Sequence, residues 1–169
     1  IGSAPQSLDF DRETPSSVSI GANNEFREYV TVHRSASEGG KTTIGDNNYL
    51  MTNSHVGHDS AVGNHTVIAN AVLLGGHVTI GDHCFLGGGS LYHQFVRIGD
   101  YVIARGLAGT SLDIPPYCVM SGINCVSGIN AVGLRRAGFD AKSRTTISSA
   151  FKEFYRSGKT LAEVITDND

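Results

Sequence analysis

The stretch TIGDNNYLMTNSHVGHDSAVGNHTVIANAVLLGGHVTIGDHCFLGGGSLYHQFVRIGDYVIARG, residues 43–106, decides the fold of this chain. An apolar residue recurs at every sixth position through it, and a small residue usually follows. The apolar positions are Ile44, Leu50, Val56, Val62, Ile68, Leu74, Ile80, Leu86, Tyr92, Ile98 and Ala104. Such a period is the signature of a parallel β-helix, in which three hexads make one coil. We expect a mainly β chain, a left-handed parallel β-helix of hexapeptide repeats with a C-terminal α-helical appendage.

The repeat also sets the expected domain boundaries. We expect the β-helix over residues 1–126, with a projecting loop at 33–43, where HRSASEGGKTT interrupts the hexads. A helical region should follow over 127–169. There, Asp140 can cap a helix from Ala141 to about Arg156 that stops at Gly158, and Thr160 can begin a short last helix. The chain starts at Ile1 inside what reads as a repeat, so we expect further coils to precede it.

Composition narrows the class of protein. The chain has 169 residues, of which 21 are Gly and none is Trp, and only 17% are charged. A narrow prism with many tight corners needs such a composition. Three cysteines without a C-x-x-C pair exclude a disulfide framework and predict a cytoplasmic location. No apolar run is long enough to insert into a membrane, and nothing indicates nucleic-acid binding.

The net charge of −3 conceals a strongly basic segment. Residues 135–159 hold seven Lys and Arg against two acidic side chains, while the rest of the chain is acidic. A basic patch of this kind can steer an acidic protein partner, and it can equally be a solvated helix face. Charge alone leaves both interpretations open.

Four histidines are predicted to meet on one outer strip of the prism. Val56, Leu74 and Tyr92 are three hexads apart, so they should stack on one edge at the spacing of neighbouring strands, about 4.8 Å. Beside this edge lie His55, His58, His77 and His93, together with Asp59 and Gln94. A histidine oriented by a carboxylate is a suitable general base near neutral pH. The alternative is a set of hydrated surface histidines.

Gly76 lies next to this strip and precedes His77. Glycine allows a ligand to approach the backbone closely, and the Gly76 N–H could stabilise an oxyanion. Most other glycines of the repeat are explained by tight corners, where glycine tolerates backbone angles that other residues cannot adopt.

Several motifs together resemble one enzyme family. They are NSHVGHDSAVGN at 53–64, GGHVTIGD at 75–82, LYHQFVRIGD at 91–100, DIPPY at 113–117, GLRRAGF at 133–139 and YRSGKTLAEV at 155–164, extended by SAPQSL at 3–8 and EYVTVHR at 28–34. The family is the UDP-N-acetylglucosamine O-acyltransferases that begin lipid A biosynthesis. The resemblance implies transfer of a (3-hydroxy)acyl chain from acyl carrier protein to the 3-position of the UDP-sugar. It further implies no cofactor beyond that donor, no metal, and a homotrimer with its sites between neighbouring prisms.

The resemblance also implies roles for individual residues. His58 would be the general base, Asp59 would polarise it, and the Gly76 N–H would hold the oxyanion. Gly106 falls where the family sets acyl-chain length. The sugar and diphosphate would be positioned by His33, His55, His77, His93 and Gln94. Asn130 and Arg136 would contact the nucleotide, and Gln6 would also bind substrate. The basic segment, with Arg135, Lys142 and Arg144, would dock the carrier protein.

Departures from the family pattern keep the acceptor open. They fall at Ser7, Asp9, Val132 and Ala137, positions that concern sugar or nucleotide recognition. A 3-amino-sugar N-acyltransferase of the same family is therefore an alternative. Two further alternatives are a zinc-dependent hexapeptide-repeat hydratase, since histidines between prisms can bind zinc, and a non-catalytic, truncated β-helix.

Overall fold

Three sheets of parallel strands, one of them extended by an antiparallel strand at the end, form the faces of a left-handed β-helix, which confirms the predicted fold. The computed structural model describes residues 1–160, 163 and 164. The first sheet contains β1 (Ser17–Ile20), β4 (Lys41–Ile44), β7 (Ala61–Val62), β10 (Thr79–Ile80) and β13 (Arg97–Ile98). The second contains β2 (Glu25–Phe26), β5 (Tyr49–Leu50), β8 (Val67–Ile68), β11 (Phe85–Leu86), β14 (Ile103–Ala104), β16 (Cys118–Gly122) and β17 (Cys125–Ile129). The third contains β3 (Thr31–Val32), β6 (His55–Val56), β9 (Leu73–Leu74), β12 (Leu91–Tyr92) and β15 (Gly109–Thr110).

The apolar residues of the hexads fill the interior of the prism. Val56 pairs with Leu74, and Leu74 pairs with Tyr92, so residues three hexads apart do stack. All three are almost fully buried. A second inward side chain precedes each of them by two residues, for example Ser54, Val72 and Ser90, and these are completely buried. The interior is therefore continuous along the axis.

The corners of the prism rest on two separate devices. A residue with positive φ recurs at every sixth position from Asn47 to Leu107, and it is an Asn, Asp or His in most cases. The glycines directly after the interior residues do not have positive φ. A Cβ at Gly57 would lie 2.6 Å from the Gly75 backbone, and one at Gly87 would lie 2.5 Å from Gly106 N. These glycines are needed because successive coils touch there, and not, as the sequence suggested, for unusual backbone angles.

The interruption of the repeat forms a loop over residues 34–40, shorter than expected because β4 already begins at Lys41. The N-terminal segment lies beside it, since Ser3 bridges to His33. Arg34 fixes the preceding chain by donating to the carbonyls of Arg12 and Thr14. The loop is thus tied back to the prism.

The end of the β-helix is a hairpin followed by two helices. β16 pairs in parallel with β14 and antiparallel with β17, which runs to Ile129, beyond the expected boundary at 126. Helix α1 (Ala131–Arg136) was not anticipated, whereas α2 (Ala141–Arg156) was, and its N-cap is Asp140.

After α2, Gly158 has a φ of +75°, as expected for a helix stop. The predicted last helix falls largely on residues 161–162 and 165–169, outside the described residues. Within the described part, the Thr160 N–H donates to Glu163 Oε2, as in a capping box. No helix among the described residues is long and apolar enough to cross a membrane.

Candidate active site

A groove of about 690 Å³ runs along the outer side of the third sheet. Its walls come from β6, β9, β12 and β15, with the N-terminal segment at one end. Of the predicted site residues, the groove is lined by Gln6, His33, His55, His58, Gly76, His93 and Gln94. The stacking of coils therefore brings together residues that are far apart in sequence.

His58 and Asp59 form a hydrogen-bonded pair at the corner after β6. His58 Nδ1 lies 2.7 Å from Asp59 Oδ2. Asp59 occupies the positive-φ position of its hexad, with a φ of 59°. Because Nδ1 faces the carboxylate, it carries the proton, and Nε2 is left as the acceptor. This is the tautomer that a general base requires.

Three residues of the interrupted region also form hydrogen bonds with Asp59. The Ser35 hydroxyl donates to Asp59 Oδ1, and the Ala36 N–H donates to Oδ2 over 2.9 Å. The Asp59 N–H donates to Thr42 Oγ1 over 2.8 Å. Burial alone would raise the pKa of the Asp59 carboxyl, but the hydrogen bonds from Ser35, Ala36 and His58 outweigh it and lower the pKa to about 2. The carboxylate is therefore charged at any physiological pH.

Gly76 lies directly beneath the His58 ring. A Cβ at this position would be 2.6 Å from His58 Nε2 and 2.7 Å from Cε1. Gly76 therefore leaves the space that the imidazole occupies, a second reason for glycine beside the predicted oxyanion role. Its N–H donates to no acceptor within the described part of the chain, whereas the neighbouring Gly75 and His77 N–H groups both do.

His55 and His33 form an uncharged pair at the lower end of the groove. Their ring centroids are 4.7 Å apart, edge to face, and Thr31 Oγ1 lies 2.8 Å from His55 Nδ1. Burial, and secondarily the rings of His33 and His58, lower the pKa of His55 to about 4. Burial also lowers the pKa of His33. Both rings are neutral at pH 7, so they act as hydrogen-bonding groups there.

His77 lies behind the catalytic pair and does not line the groove among the residues described. Its ring packs edge-on against His58 at 5.2 Å and stacks on Phe95 at 4.5 Å. His77 Nε2 is 3.8 Å from Asp59 Oδ2. The position favours support of the Asp59–His58 pair over the direct substrate contact that was expected.

His58, Asp59 and His77 also offer three ligand atoms within 4.8 Å of one another, a set within one chain that differs from the histidines between prisms of the zinc alternative. However, the Asp59 carboxylate already accepts hydrogen bonds from Ser35, Ala36 and His58. A metal at this point would displace the proton on His58 Nδ1. The hydrogen-bonded arrangement favours proton transfer over metal ligation.

Comparison with known proteins gives consistent matches. Residues 113–168 match the family model described as UDP-N-acetylglucosamine O-acyltransferase, domain 2, and residues 41–76 match the bacterial transferase hexapeptide model of six repeats. The UDP-N-acetylglucosamine acyltransferase of Bacteroides fragilis is 39% identical, with a TM-score of 0.93 over 99% of this chain. The enzyme of Moraxella catarrhalis is 37% identical (TM-score 0.94, 99% of this chain), and that of Arabidopsis is 34% identical (TM-score 0.91, 98%). The chain belongs to the UDP-N-acetylglucosamine O-acyltransferase family.

As a member of this family, the chain spans only part of the length of these relatives. It covers 66% of the Bacteroides and Moraxella chains and 59% of the Arabidopsis chain. The matched part includes the hexads around His58 and the helices after the hairpin.

The remaining predicted site residues of this acyltransferase-family chain lie away from the groove. Gly106 and Asn130 line a separate pocket of about 480 Å³ against the second sheet. Asn130 also caps α1, because its Oδ1 accepts from the Gly133 N–H and its Nδ2 donates to the Tyr101 carbonyl. Arg136 is exposed on α1. One chain therefore does not bring the predicted nucleotide contacts to the catalytic pair.

The predicted docking residues lie on the helical appendage. Arg135 and Lys142 are exposed. Arg144 is half-buried and donates to the Phe139 carbonyl over 2.7 Å, so part of its hydrogen-bonding capacity is used within the chain.

Sequence reasoning missed the support of Asp59. The loop at 34–40 was expected only to project, yet Ser35 and Ala36 return to the carboxylate. The sequence carried a weak signal for Thr42 alone. This residue precedes Ser60 by three hexads, so the repeat places its side chain in the interior of the prism. The rule of three hexads per coil does not place Ser35, because the loop lengthens its coil to 24 residues, as the pairing of Thr31 with His55 shows.

Proposed function

We propose that this chain transfers a (3-hydroxy)acyl group from acyl carrier protein to the 3-hydroxyl of UDP-N-acetylglucosamine, the first step of lipid A biosynthesis. The observation that carries the proposal is the His58–Asp59 pair. Its Nδ1 is engaged by a charged carboxylate, and its Nε2 is left as an acceptor at a groove. The family membership supplies the substrate class.

The residues perform the reaction as follows. His58 Nε2 accepts the proton of the sugar 3-hydroxyl while the oxygen attacks the thioester carbonyl. The Asp59 carboxylate stabilises the imidazolium that forms. The Gly76 N–H donates to the oxygen that becomes negative in the tetrahedral intermediate. When the intermediate collapses, the C–S bond breaks, and the proton on His58 passes to the departing thiolate. No metal and no cofactor beyond the acyl donor takes part.

An apolar row beside the pair supports an acyl-chain path. On the outer side of the third sheet, His55 pairs with Leu73, Leu73 with Leu91 and Leu91 with Gly109, and Ile123 bridges to Gly109. Leu73, Leu91 and Ile123 are each about half exposed or more. A hydrocarbon lying along this row would bury them. The path runs from the site of chemistry towards the helical end of the molecule.

Two apolar faces on one prism support a homotrimer with shared sites. The outer row of the second sheet, Tyr49, Val67, Phe85, Ile103 and Val119, is also apolar. The first sheet presents Thr43, Ala61, Thr79 and Arg97 instead. When the third sheet of one chain faces the second sheet of the next, the His58 groove meets the pocket with Gly106, and a ring of three closes. Arg136 of the next chain then contacts the diphosphate, and Gly106 borders the acyl chain.

Charge and cysteine chemistry support two further parts of the proposal. The exposed Arg135 and Lys142 belong to the basic segment and would attract the acidic carrier protein. Cys84, Cys118 and Cys125 are all free thiols, which agrees with a cytoplasmic location.

A turnover assay tests the reaction. The protein is incubated with 3-hydroxyacyl carrier proteins of several chain lengths and with UDP-N-acetylglucosamine or its 3-amino analogue. We expect an ester product, and we expect His58→Ala to reduce kcat by about 10³-fold or more. Equal turnover by His58→Ala would contradict the assignment of the base. A preference for the 3-amino acceptor would shift the proposal to the N-acyltransferase alternative.

Complementation tests the shared site. His58→Ala and Arg136→Ala chains are co-expressed so that mixed trimers form. If each site takes His58 from one chain and Arg136 from the next, random assembly restores about a quarter of the sites. If both residues serve the same chain's site, mixing restores nothing. Homotrimers of each variant are the controls.

A further inference from the structure

The Ser35 side chain is completely buried although it lies in a loop. Its hydroxyl donates to Asp59 Oδ1 and accepts from the Ser37 N–H over 3.0 Å. Its backbone is fixed as well, because the Ser35 carbonyl accepts from the Ser16 hydroxyl. Both the side chain and the main chain of Ser35 are therefore held in one orientation.

The loop is built to accommodate this hydroxyl. A Cβ at Gly40 would lie 2.2 Å from Ser35 Oγ and 3.1 Å from Ser35 Cβ. The Ser35 N–H lies 3.4 Å from the Ser17 carbonyl of β1, which fixes the loop to the prism. The loop of residues 34–40 is thus fixed to the prism, and two of its residues contact Asp59.

We propose that Ser35 is a positioning residue for acyl transfer, acting through Asp59 on His58. This proposal rests on the function proposed above. Without the Ser35 hydroxyl, Oδ1 of Asp59 has no donor among the described residues, and the carboxylate can rotate about χ2. Oδ2, the oxygen that holds His58 Nδ1, is then held only by the Ala36 N–H, and the ring is less firmly oriented towards the groove. Ser35 does not line the groove, so it should not affect substrate affinity.

The kinetic test compares Ser35→Ala with Ser37→Ala. Ser37 lies two residues further on in the same loop and is exposed, so it is the matched control. We expect Ser35→Ala to lower kcat about tenfold, the loss of one hydrogen bond to a charged group, with the KM for the UDP-sugar changed less than twofold. Ser37→Ala should behave as the wild type. Ser35→Cys, which fills the same space with a weaker donor, should fall between Ser35→Ala and the wild type.

A readout independent of turnover comes from the Asp59 carboxyl. Hydrogen bonding by Ser35 is the largest of the effects that lower its pKa, while His58 and His77 are the titratable groups facing it. In a ¹³C NMR titration from pH 7 to pH 3, we expect Asp59 to stay ionised in the wild type and in Ser37→Ala. In Ser35→Ala it should begin to take up a proton, its pKa raised by about one unit.

The outcomes separate the two proposals. If Ser35→Ala keeps the wild-type kcat, or if its kcat falls while Asp59 titrates as in the wild type, the positioning role is wrong. If no variant or wild type transfers acyl groups, the proposed function is wrong, and the Asp59 titration still decides whether Ser35 holds the carboxylate. Thermal unfolding of each variant identifies a loss that is due to misfolding.

Discussion

Replacing Gly76 with Ala tests the central contact of the site. The added Cβ would lie 2.6 Å from His58 Nε2, whereas ordinary contacts between such atoms begin near ~3.4 Å. The imidazole must therefore retreat by about 0.8 Å or rotate away, since the backbone of stacked coils cannot yield so far. A displacement of about 1 Å at a reacting group costs on the order of 10²-fold in rate. We expect kcat/KM to fall by about that factor.

The same substitution should leave the fold intact. Gly76 does not have positive φ, and the atoms that clash belong to the end of a partly exposed side chain that can swing aside. Unfolding free energy should change by less than about 1 kcal/mol. The Gly76 N–H also remains, so the oxyanion donor is not removed. The experiment therefore isolates the placement of His58 from the oxyanion contribution.

The assay measures steady-state transfer to UDP-N-acetylglucosamine, together with thermal unfolding. Gly128→Ala is the matched control, because a Cβ at that position meets nothing within 4 Å and its backbone angles are also ordinary. We expect wild-type kinetics for the control. A Gly76→Ala protein that is folded and as active as the wild type would refute the contact between His58 and residue 76 as a requirement for catalysis.

Three further predictions concern the protonation of His55, the basic segment and the absence of a metal from the proposed mechanism. The pKa of His55 in the folded protein is about 4, below the 6.5 of the free side chain, so the unfolded chain binds more protons between these two pH values. The free energy of unfolding, measured in urea, should therefore fall as the pH drops from 6.5 to 4. The fall should be smaller in His55→Gln. Arg135→Glu should weaken carrier-protein binding at low salt, and the difference should shrink as salt rises; equal affinities at low salt would contradict docking there. Acyl transfer should survive exhaustive chelation with EDTA, and a loss that zinc restores would contradict the metal-free mechanism.

The fold could be predicted because every turn of the prism repeats one local rule. Each interior position of a hexad recurs six residues later, so the register of all three sheets follows from the apolar residues alone, as the Val56–Leu74–Tyr92 pairing shows. The same arithmetic placed His58 and Gly76 on successive coils. Helix α2 was equally predictable, because its cap at Asp140 and its stop at Gly158 are local signals.

The features that could not be predicted from the sequence depend on contacts that the six-residue repeat does not encode. Ser35 reaches Asp59 across 24 residues, because the loop adds six residues to the 18 of a regular coil, an addition that the repeat does not announce. The glycines after the interior residues were assigned to the wrong cause, because the distance between coils, and not the backbone angle, excludes a side chain there. Asn130 was assigned to the nucleotide, while its amide also caps α1, a role visible only once the helix is in place.

The hexad repeat has a direct consequence for catalysis. His58 and Gly76 occupy the same position in hexads three apart, so the base and the oxyanion donor are separated by one coil, about 4.8 Å along the axis. In the tetrahedral intermediate, each of the two groups makes a hydrogen bond of about 2.8 Å to an oxygen on the same carbon. Stacking on successive coils places the His58 ring directly over Gly76, so that both groups can serve the same carbon. The prism fixes the position of His58 along its axis. The Asp59–Ser35 contact therefore needs only to fix the orientation of the His58 ring.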